Sequence, residues 1–115
     1  MKFMIKWKKK SKMEKNKTLS MFGLARRAGR LSMGHDTALS AVIENKASLL
    51  IFASDTSERL RLEFKTAMDK RKIDIPVFYT DITIDEIHFS CGYKAGVIAV
   101  NDENFSKKII SLLEE

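Results

Sequence analysis

The sequence predicts an α/β protein in which strands alternate with helical connections. Three short apolar runs, "ASLLIFA", "IPVFYT" and "GVIAV", have the length and the branched or aromatic content of strands. The segments between them repeat apolar residues every three or four positions, which is typical of helices with one buried face. Strands separated by helical connections imply a three-layer α/β/α sandwich, with elements in the order α-β-α-β-α-β-α-β-α.

The first two helices are separated by the short extended piece "RLSM". The first starts near Lys17 and ends at Gly29, which suits a left-handed C-terminal cap. Gly34 turns the chain into the second helix, for which Asn45 is a stop signal. The expected buried residues are Leu19, Phe22, Leu24, Ala25 and Ala28 in the first helix, and Leu39, Val42 and Ile43 in the second.

The strand at 47–53 is apolar on both sides, so we expect it in the centre of the sheet. An amphipathic helix follows over residues 57–72, and Pro76 stands at the start of the next strand, where its missing N–H is tolerated. Thr83 and Glu86 form a capping-box pattern that opens a short helix ending at Gly92. After "GVIAV", a closing helix begins near Asp102. The expected buried residues of the two longer helices are Leu60, Phe64, Ala67, Met68, Phe105, Ile109, Leu112 and Leu113.

The net charge of +6 is unevenly distributed. Residues 1–17 contain eight Lys and one Glu, residues 18–72 have a net charge of +4, and residues 73–115 have −5. The basic N-terminal part of the chain favours a polyanionic partner. Nucleic acid is the first candidate and an anionic membrane the second. We therefore divide the chain into a flexible basic tail, residues 1–16, and a single globular domain, residues 17–115. A solubilising role for the tail, or a true start at Met13, are the alternatives.

Composition argues against several classes of protein. No apolar run approaches the roughly 18 residues of a membrane span, and "MKFMIKW" lacks the apolar block of a signal peptide. The single cysteine excludes an intrachain disulfide and fits the cytoplasm, where we expect the protein. Neither a metal-binding spacing of His and Cys nor a glycine-rich nucleotide motif occurs. We expect no metal and no cofactor.

Two possibilities for catalysis are weak. Asp55 follows a strand end, as does the phosphorylated aspartate of response-regulator receivers, but the first strand lacks the acidic pair that would hold Mg²⁺. A helix cap or a turn is the alternative role for Asp55. Cys91 and His88 lie three apart on one predicted helix, yet no orienting carboxylate accompanies them. We expect no catalytic residue and no enzymatic activity.

Two predicted turns carry groups that suit an anionic ligand. Arg26, Arg27 and Arg30 precede Gly34, whose helix begins with unpaired backbone amides. The 54–57 turn opens another helix, with Arg59 and Arg61 one turn further on. If both turns lie at one edge, their amides, hydroxyls and guanidinium groups suit phosphate and ribose oxygens. The alternative is that the three arginines form a solvated helix face.

The uninterrupted run "GHDTALSAVIENKASLLIFASD" is similar to the kink-turn RNA-binding ribosomal proteins of the L-seven-Ae type. "DEIHFSCG" and "GVIAV" fall where that family has its Glu-Leu-Gly-x-x-x-Gly segment and its last strand, and "LARRAGRLSMG" resembles the bacterial YlxQ-like branch. The resemblance covers about residues 18–113. It implies an α/β/α sandwich with a mixed four-stranded sheet. It also implies that RNA binds along the edge formed by the Gly34 helix start, the 54–57 loop and the loop after Gly92.

The resemblance implies roles for individual residues. Gly34 matches the glycine before the recognition helix, Ala53 and Asp55 match the strand end, and Glu86 and Gly92 match the later segment. Tyr93 and Lys94 follow in the loop that touches RNA in the family, where they would stack on a base and meet a phosphate.

The chain departs from the family pattern beside Gly34. Asp36-Thr37 stands where kink-turn binders have Asn-Glu, and Ser40 stands where they have Lys. A carboxylate only accepts hydrogen bonds and repels phosphate. This departure argues against tight binding of a standard kink-turn.

We therefore expect a monomeric, non-enzymatic RNA-binding protein associated with the ribosome or with translation factors, not with a membrane. Its expected ligand is structured, kink-turn-like RNA, with ribosomal RNA as one candidate. The predicted RNA-binding residues are Arg26, Arg27, Arg30, Gly34, His35, Asp36, Thr37, Ser54, Asp55, Thr56, Glu86, Gly92, Tyr93 and Lys94. The alternative is a protein–protein adaptor on the same scaffold that has lost RNA contact, as Asp36 and Ser40 would permit.

Overall fold

The computed structural model describes residues 5–8 and 11–114. In that part of the chain strands and helices alternate, and from the first helix onward their order is the predicted one. The elements are β1 (Ile5–Lys8), α1 (Lys12–Arg27), β2 (Leu31–Met33), α2 (His35–Ile43), β3 (Leu49–Phe52), α3 (Glu58–Arg71), β4 (Val77–Thr80), α4 (Ile84–Cys91), β5 (Val97–Val100) and α5 (Glu103–Glu114).

The strands form one mixed sheet in the order β1-β4-β3-β5-β2. β3 and β4 are parallel, whereas β5 is antiparallel to both of its neighbours, β3 and β2. Strands β2 to β5 are the four expected strands, and their mixed arrangement is confirmed. β1 adds a fifth strand, parallel to β4, with Ile5 opposite Val77.

The N-terminal segment differs from the expected flexible tail. β1 lies inside residues 1–16, and α1 begins at Lys12 rather than near Lys17. The earlier start has a local cause, because the Glu14 amide donates to the Ser11 hydroxyl and the Glu14 carboxylate accepts from the Ser11 N–H. This reciprocal capping box ties down the first turn of α1. Residues 1–4, 9 and 10 of the expected tail lie outside the described residues.

Helices cover both faces of the sheet, which confirms the three-layer sandwich. Because successive strand residues point to opposite faces, Leu49 and Ile51 pack with α1, α4 and α5, while Leu50 and Phe52 pack with α2 and α3. Leu24, expected in the core, is 46% exposed, so its assignment to the buried face was wrong. Leu24 lies beside a groove between α1 and α4 instead.

The expected helix ends are present. Gly29 and Gly92 have φ of +73° and +74°, the left-handed conformation that glycine adopts without steric cost. Asn45 ends the second helix in the same region of backbone space, with φ of 61°. The three residues end α1, α2 and α4, and a loop follows each of them.

Candidate nucleic-acid interface

Both predicted turns lie at the same edge of the sheet. β2, β3 and β4 all end there, and β5 begins there because it runs the other way. The Gly34 N–H donates to the Val97 carbonyl at 3.0 Å, and the Ala53 N–H donates to the Gly96 carbonyl at 2.8 Å. We call this surface the loop edge and define it as residues 34–37, 53–57, 80–84 and 92–96.

The start of α2 presents backbone amides at the loop edge. Gly34 is the N-cap, with φ of +93°, and within the described residues no side chain caps the helix. The amides of residues 35–37 are therefore open to an acceptor from outside. The Asp36 side chain beside them is 97% exposed.

Tyr93 and Arg26 lie next to Gly34. A Cβ at Gly34 would be 3.7 Å from the Tyr93 hydroxyl, and the Arg26 guanidinium carbon is 5.3 Å from the centre of the Tyr93 ring. The Tyr93 side chain is 46% exposed. This contact is a cation–π pair that leaves the ring accessible. A ring and a guanidinium thus flank the open helix start.

Arg26 and Arg27 also lie near Cys91. Burial raises the pKa of the Cys91 thiol, and the two guanidinium groups oppose that rise without cancelling it. A raised pKa keeps the thiol protonated and poorly nucleophilic. This environment gives no support to catalysis by Cys91. Within residues 11–114 neither arginine forms a salt bridge, so no carboxylate there neutralises their charges.

The Arg61 side chain stabilises the 53–57 loop through hydrogen bonds. Its guanidinium donates to the Thr56 hydroxyl at 3.0 Å and to the Ser54 carbonyl at 3.4 Å, and it stacks over Tyr79 at 4.8 Å. Arg61 and Arg59 follow the turn together in the sequence, and both suited a phosphate there; these contacts instead direct the Arg61 guanidinium toward the protein. Arg59, on the same turn of α3, is exposed.

Gly96 was missed from the sequence, although it is required for two loops to meet. A Cβ at this position would be 2.6 Å from Thr56 Cγ2 and 3.4 Å from Ile84 Cδ1. The first distance is below any normal van der Waals contact. A glycine directly before a strand, in "KAGVIAV", is a visible signal of such a close approach.

Asp55 and Glu86 stabilise the loop edge by capping α4. The Ile84 N–H donates to Asp55 Oδ1 at 3.0 Å. Glu86 accepts from the Thr83 N–H, completing the expected capping box, and lies 3.5 Å from Lys15. Asp55 therefore has the role of a helix cap, but for α4 rather than for the helix that follows it.

His35 bridges two carboxylates at the loop edge. Its Nδ1 lies 2.6 Å from Asp36 Oδ1 and its Nε2 lies 2.8 Å from Glu63 Oε2. Hydrogen bonding to Asp36, and then to Glu63, raises the pKa of His35 above its ordinary value of 6.5. The protonated ring donates to both carboxylates and joins α2 to α3.

The His35 bridge predicts a pH dependence of stability. Because the folded pKa is raised, the stabilisation is fully present below about pH 6.5, the unfolded value. It is lost as pH rises through the folded pKa. Urea unfolding of the wild type between about pH 6 and 8 should show this loss; His35→Gln should abolish it, and Glu63→Gln should reduce it because the Asp36 hydrogen bond remains. An unchanged slope in both variants would show that the bridge does not contribute.

Arg30 lies apart from the other predicted site residues. Its carbonyl accepts from the Asn101 N–H, and its side chain lies 3.7 Å from Asp102. Both contacts are at the opposite end of β2, which separates Arg30 from Gly34 by roughly 13 Å of extended chain. The structure thus brings together Arg26, Gly34, Tyr93 and the 53–57 loop, but not Arg30. Gly92 and Lys94 are exposed in the loop before β5.

No three His, Cys, Asp or Glu side chains of the described residues are grouped so as to hold a metal ion. None of the described helices combines the length and the apolar character that crossing a bilayer requires.

The sequence model of the ribosomal protein L7Ae/L30e/S12e/Gadd45 family matches residues 16–110. The chain belongs to this family. The match begins within α1, ends within α5 and includes the whole loop edge, and it confirms the resemblance found from the sequence.

The chain is also similar to individual proteins. The RNA-binding protein YlxQ of Enterococcus faecium is 25% identical over 100 residues, which cover 87% of this chain and 94% of the relative. A protein with unknown function from Bacillus halodurans C has 29% identity and a TM-score of 0.76, covering 86% of this chain and 98% of the other. The Giardia lamblia 15.5kD RNA binding protein has 17% identity and a TM-score of 0.68, with 92% of each chain covered, and shows a shared fold.

Proposed function

We propose that this L7Ae-family protein binds structured RNA through the loop edge, without catalysis. The observation that carries the proposal is the grouping of the uncapped α2 start with the Arg26–Tyr93 pair. Backbone amides and guanidinium groups bind phosphates, and an accessible ring stacks on an unpaired base. The relative named RNA-binding protein YlxQ supports the same assignment.

The proposed contacts divide by chemistry. Arg26, Arg27 and Lys94 neutralise phosphates, while Tyr93 supplies a stacking surface. Asp36 is an exposed acceptor, so it favours base edges that present amino groups and disfavours close phosphates. We propose a kink-turn-like RNA of the translation machinery whose bases suit an acceptor at Asp36. We assign Arg30, Asp55 and Glu86 no direct contact with RNA.

A salt titration of RNA binding tests the proposal. For the wild type, the affinity for a kink-turn duplex should fall steeply as salt rises from about 50 to 200 mM. Arg26→Ala should weaken binding and reduce the log–log salt slope by about one. Fluorescence anisotropy with a labelled duplex measures both quantities.

Arg71→Ala is the matched control. Arg71 is also an exposed arginine in the last turn of a helix, but it lies at the far end of α3, roughly 20 Å along the helix from the loop edge. Its removal should leave the slope unchanged. Absence of binding near 50 mM salt, or equal losses in the two variants, would reject the loop edge as an RNA site.

A protein–protein adaptor is the second candidate, and one feature favours it. A groove of about 640 Å³ runs between α2 and α3, with Leu39, Ile43 and Leu62 in its lining. Arg59 and Arg71 also line it, so an acidic segment of a partner would be complementary. Affinity purification with and without nuclease separates the candidates. Partners retained after nuclease treatment would favour the adaptor, and partners lost would favour RNA binding.

A further inference from the structure

We infer that Phe89 and the groove between α1 and α4 form a second base-stacking site, which binds an unpaired nucleotide flanking the structured RNA. The inference rests on the proposed function and extends it, because it assigns single-stranded RNA to a surface outside the loop edge.

Phe89 is unusual among the phenylalanines of the described chain. Its side chain is 93% exposed, whereas Phe22, Phe52, Phe64 and Phe78 are at most 2% exposed. Ile87, two residues earlier on α4, points into the core. Phe89 therefore lies on the outward face of a helix whose other face is packed in the core, and its ring is accessible to a ligand.

A depression lies beside the Phe89 ring because α1 and α4 approach closely. A Cβ at Gly23 would be 3.1 Å from the Ser90 carbonyl oxygen and 3.7 Å from Arg27 Nη1. The resulting groove has a volume of about 420 Å³, with Leu24 and Phe89 among its lining residues. The groove thus offers an aromatic ring, an apolar wall and a guanidinium within one small area.

The groove repeats the chemistry of the loop edge. There, Arg26 stacks on Tyr93, and here Arg27 lines a groove with Phe89. Arg26 and Arg27 are consecutive residues in the last turn of α1, so the two pairs are neighbours. Alternating rings and guanidinium groups are characteristic of surfaces that bind single strands, where bases stack and phosphates meet cations. A protein side chain could also cover Phe89, but a cation in the groove and its continuity with the loop edge favour a nucleotide.

The test uses two RNAs. One is a blunt kink-turn duplex, and the other is the same duplex with a five-nucleotide single-stranded tail containing 2-aminopurine, prepared with the tail at either end. We expect one tailed form to bind about 5- to 150-fold more tightly than the blunt duplex, the range for stacking of a single base. We also expect quenching of the 2-aminopurine fluorescence on binding.

Three variants assign the effect to Phe89. Phe89→Ala should abolish the gain from the tail and leave affinity for the blunt duplex unchanged, whereas Phe89→Trp should preserve the gain. Leu62→Ala removes an exposed apolar side chain from α3 and should affect neither RNA. Because Phe89 is exposed, its replacement should not impair folding, and urea unfolding checks this.

The outcomes separate this inference from the proposed function. Binding of the blunt duplex with no gain from either tail overturns the inference and leaves the proposed function standing. Equal losses for both RNAs in Phe89→Ala also overturn it, as does a nuclease-resistant protein complex that depends on Phe89. Failure to bind any of the RNAs overturns both.

Discussion

Gly96→Ala is expected to destabilise the protein by about 1–3 kcal/mol, the usual cost of overpacking. The added methyl group would stand 2.6 Å from Thr56 Cγ2. Thr56 has little room to yield, because its hydroxyl donates to the Ala53 carbonyl at 2.9 Å and accepts from Arg61 at 3.0 Å. The strain should displace the 53–57 loop and weaken RNA binding as well. Urea unfolding and RNA titration measure the two effects.

A double-mutant cycle identifies the cause of that destabilisation. Thr56→Ser removes Cγ2 but keeps the hydroxyl that binds Arg61, and alone it should cost about 1 kcal/mol or less. In the Gly96→Ala background the same change should recover part of the lost stability, which gives a favourable coupling energy. Additive losses would show that the clash with Thr56 is not the reason for glycine at this position.

Tyr93→Ala is expected to lower affinity for structured RNA by about 5- to 150-fold, which corresponds to about 1–3 kcal/mol for one stacked base. The ring is about half exposed and pairs with Arg26, so the free energy of unfolding should fall by no more than about 1 kcal/mol. Anisotropy titration at fixed salt measures the affinity, and urea unfolding measures the stability.

Tyr93→Phe is the matched control, because it keeps the ring and removes only the hydroxyl. It should retain most of the affinity if stacking is the main contribution. An equal loss in both variants would assign the effect to a hydrogen bond from the hydroxyl. Unchanged affinity in Tyr93→Ala would remove Tyr93 from the interface.

Local patterns predicted most of the fold. The caps at Gly29, Gly92 and Thr83–Glu86 depend on residues close in sequence, and the apolar runs report the buried strands directly. β1 was not predicted, because "IKWK" is rich in lysine and pairs with a strand about 70 positions later. No local sequence pattern indicates that β1 pairs with β4. The start of α1 at Lys12 was available from "SKME", a capping-box pattern, but the density of lysine around it favoured a tail.

The candidate site was predicted less completely, for a related reason. The sequence shows which residues follow a strand, so the turns at Gly34 and Ser54 were identified. The orientation of a long side chain depends on partners that are distant in sequence. Arg30 lies 3.7 Å from Asp102 and Arg61 donates to Thr56, and neither partner could be identified from the sequence around the arginine. Phe89 was not singled out because its helical position gave no sign of 93% exposure.

The hydrogen bonds within the loop edge affect the free energy of RNA binding. Main-chain bonds from Gly34 and Ala53, together with the guanidinium of Arg61, already fix the 53–57 segment and its neighbours in the free protein. Little conformational entropy then remains to be lost when a partner arrives, which leaves more of the contact energy for affinity. Complex formation should resemble the docking of a rigid body, with backbone shifts of no more than about 1 Å.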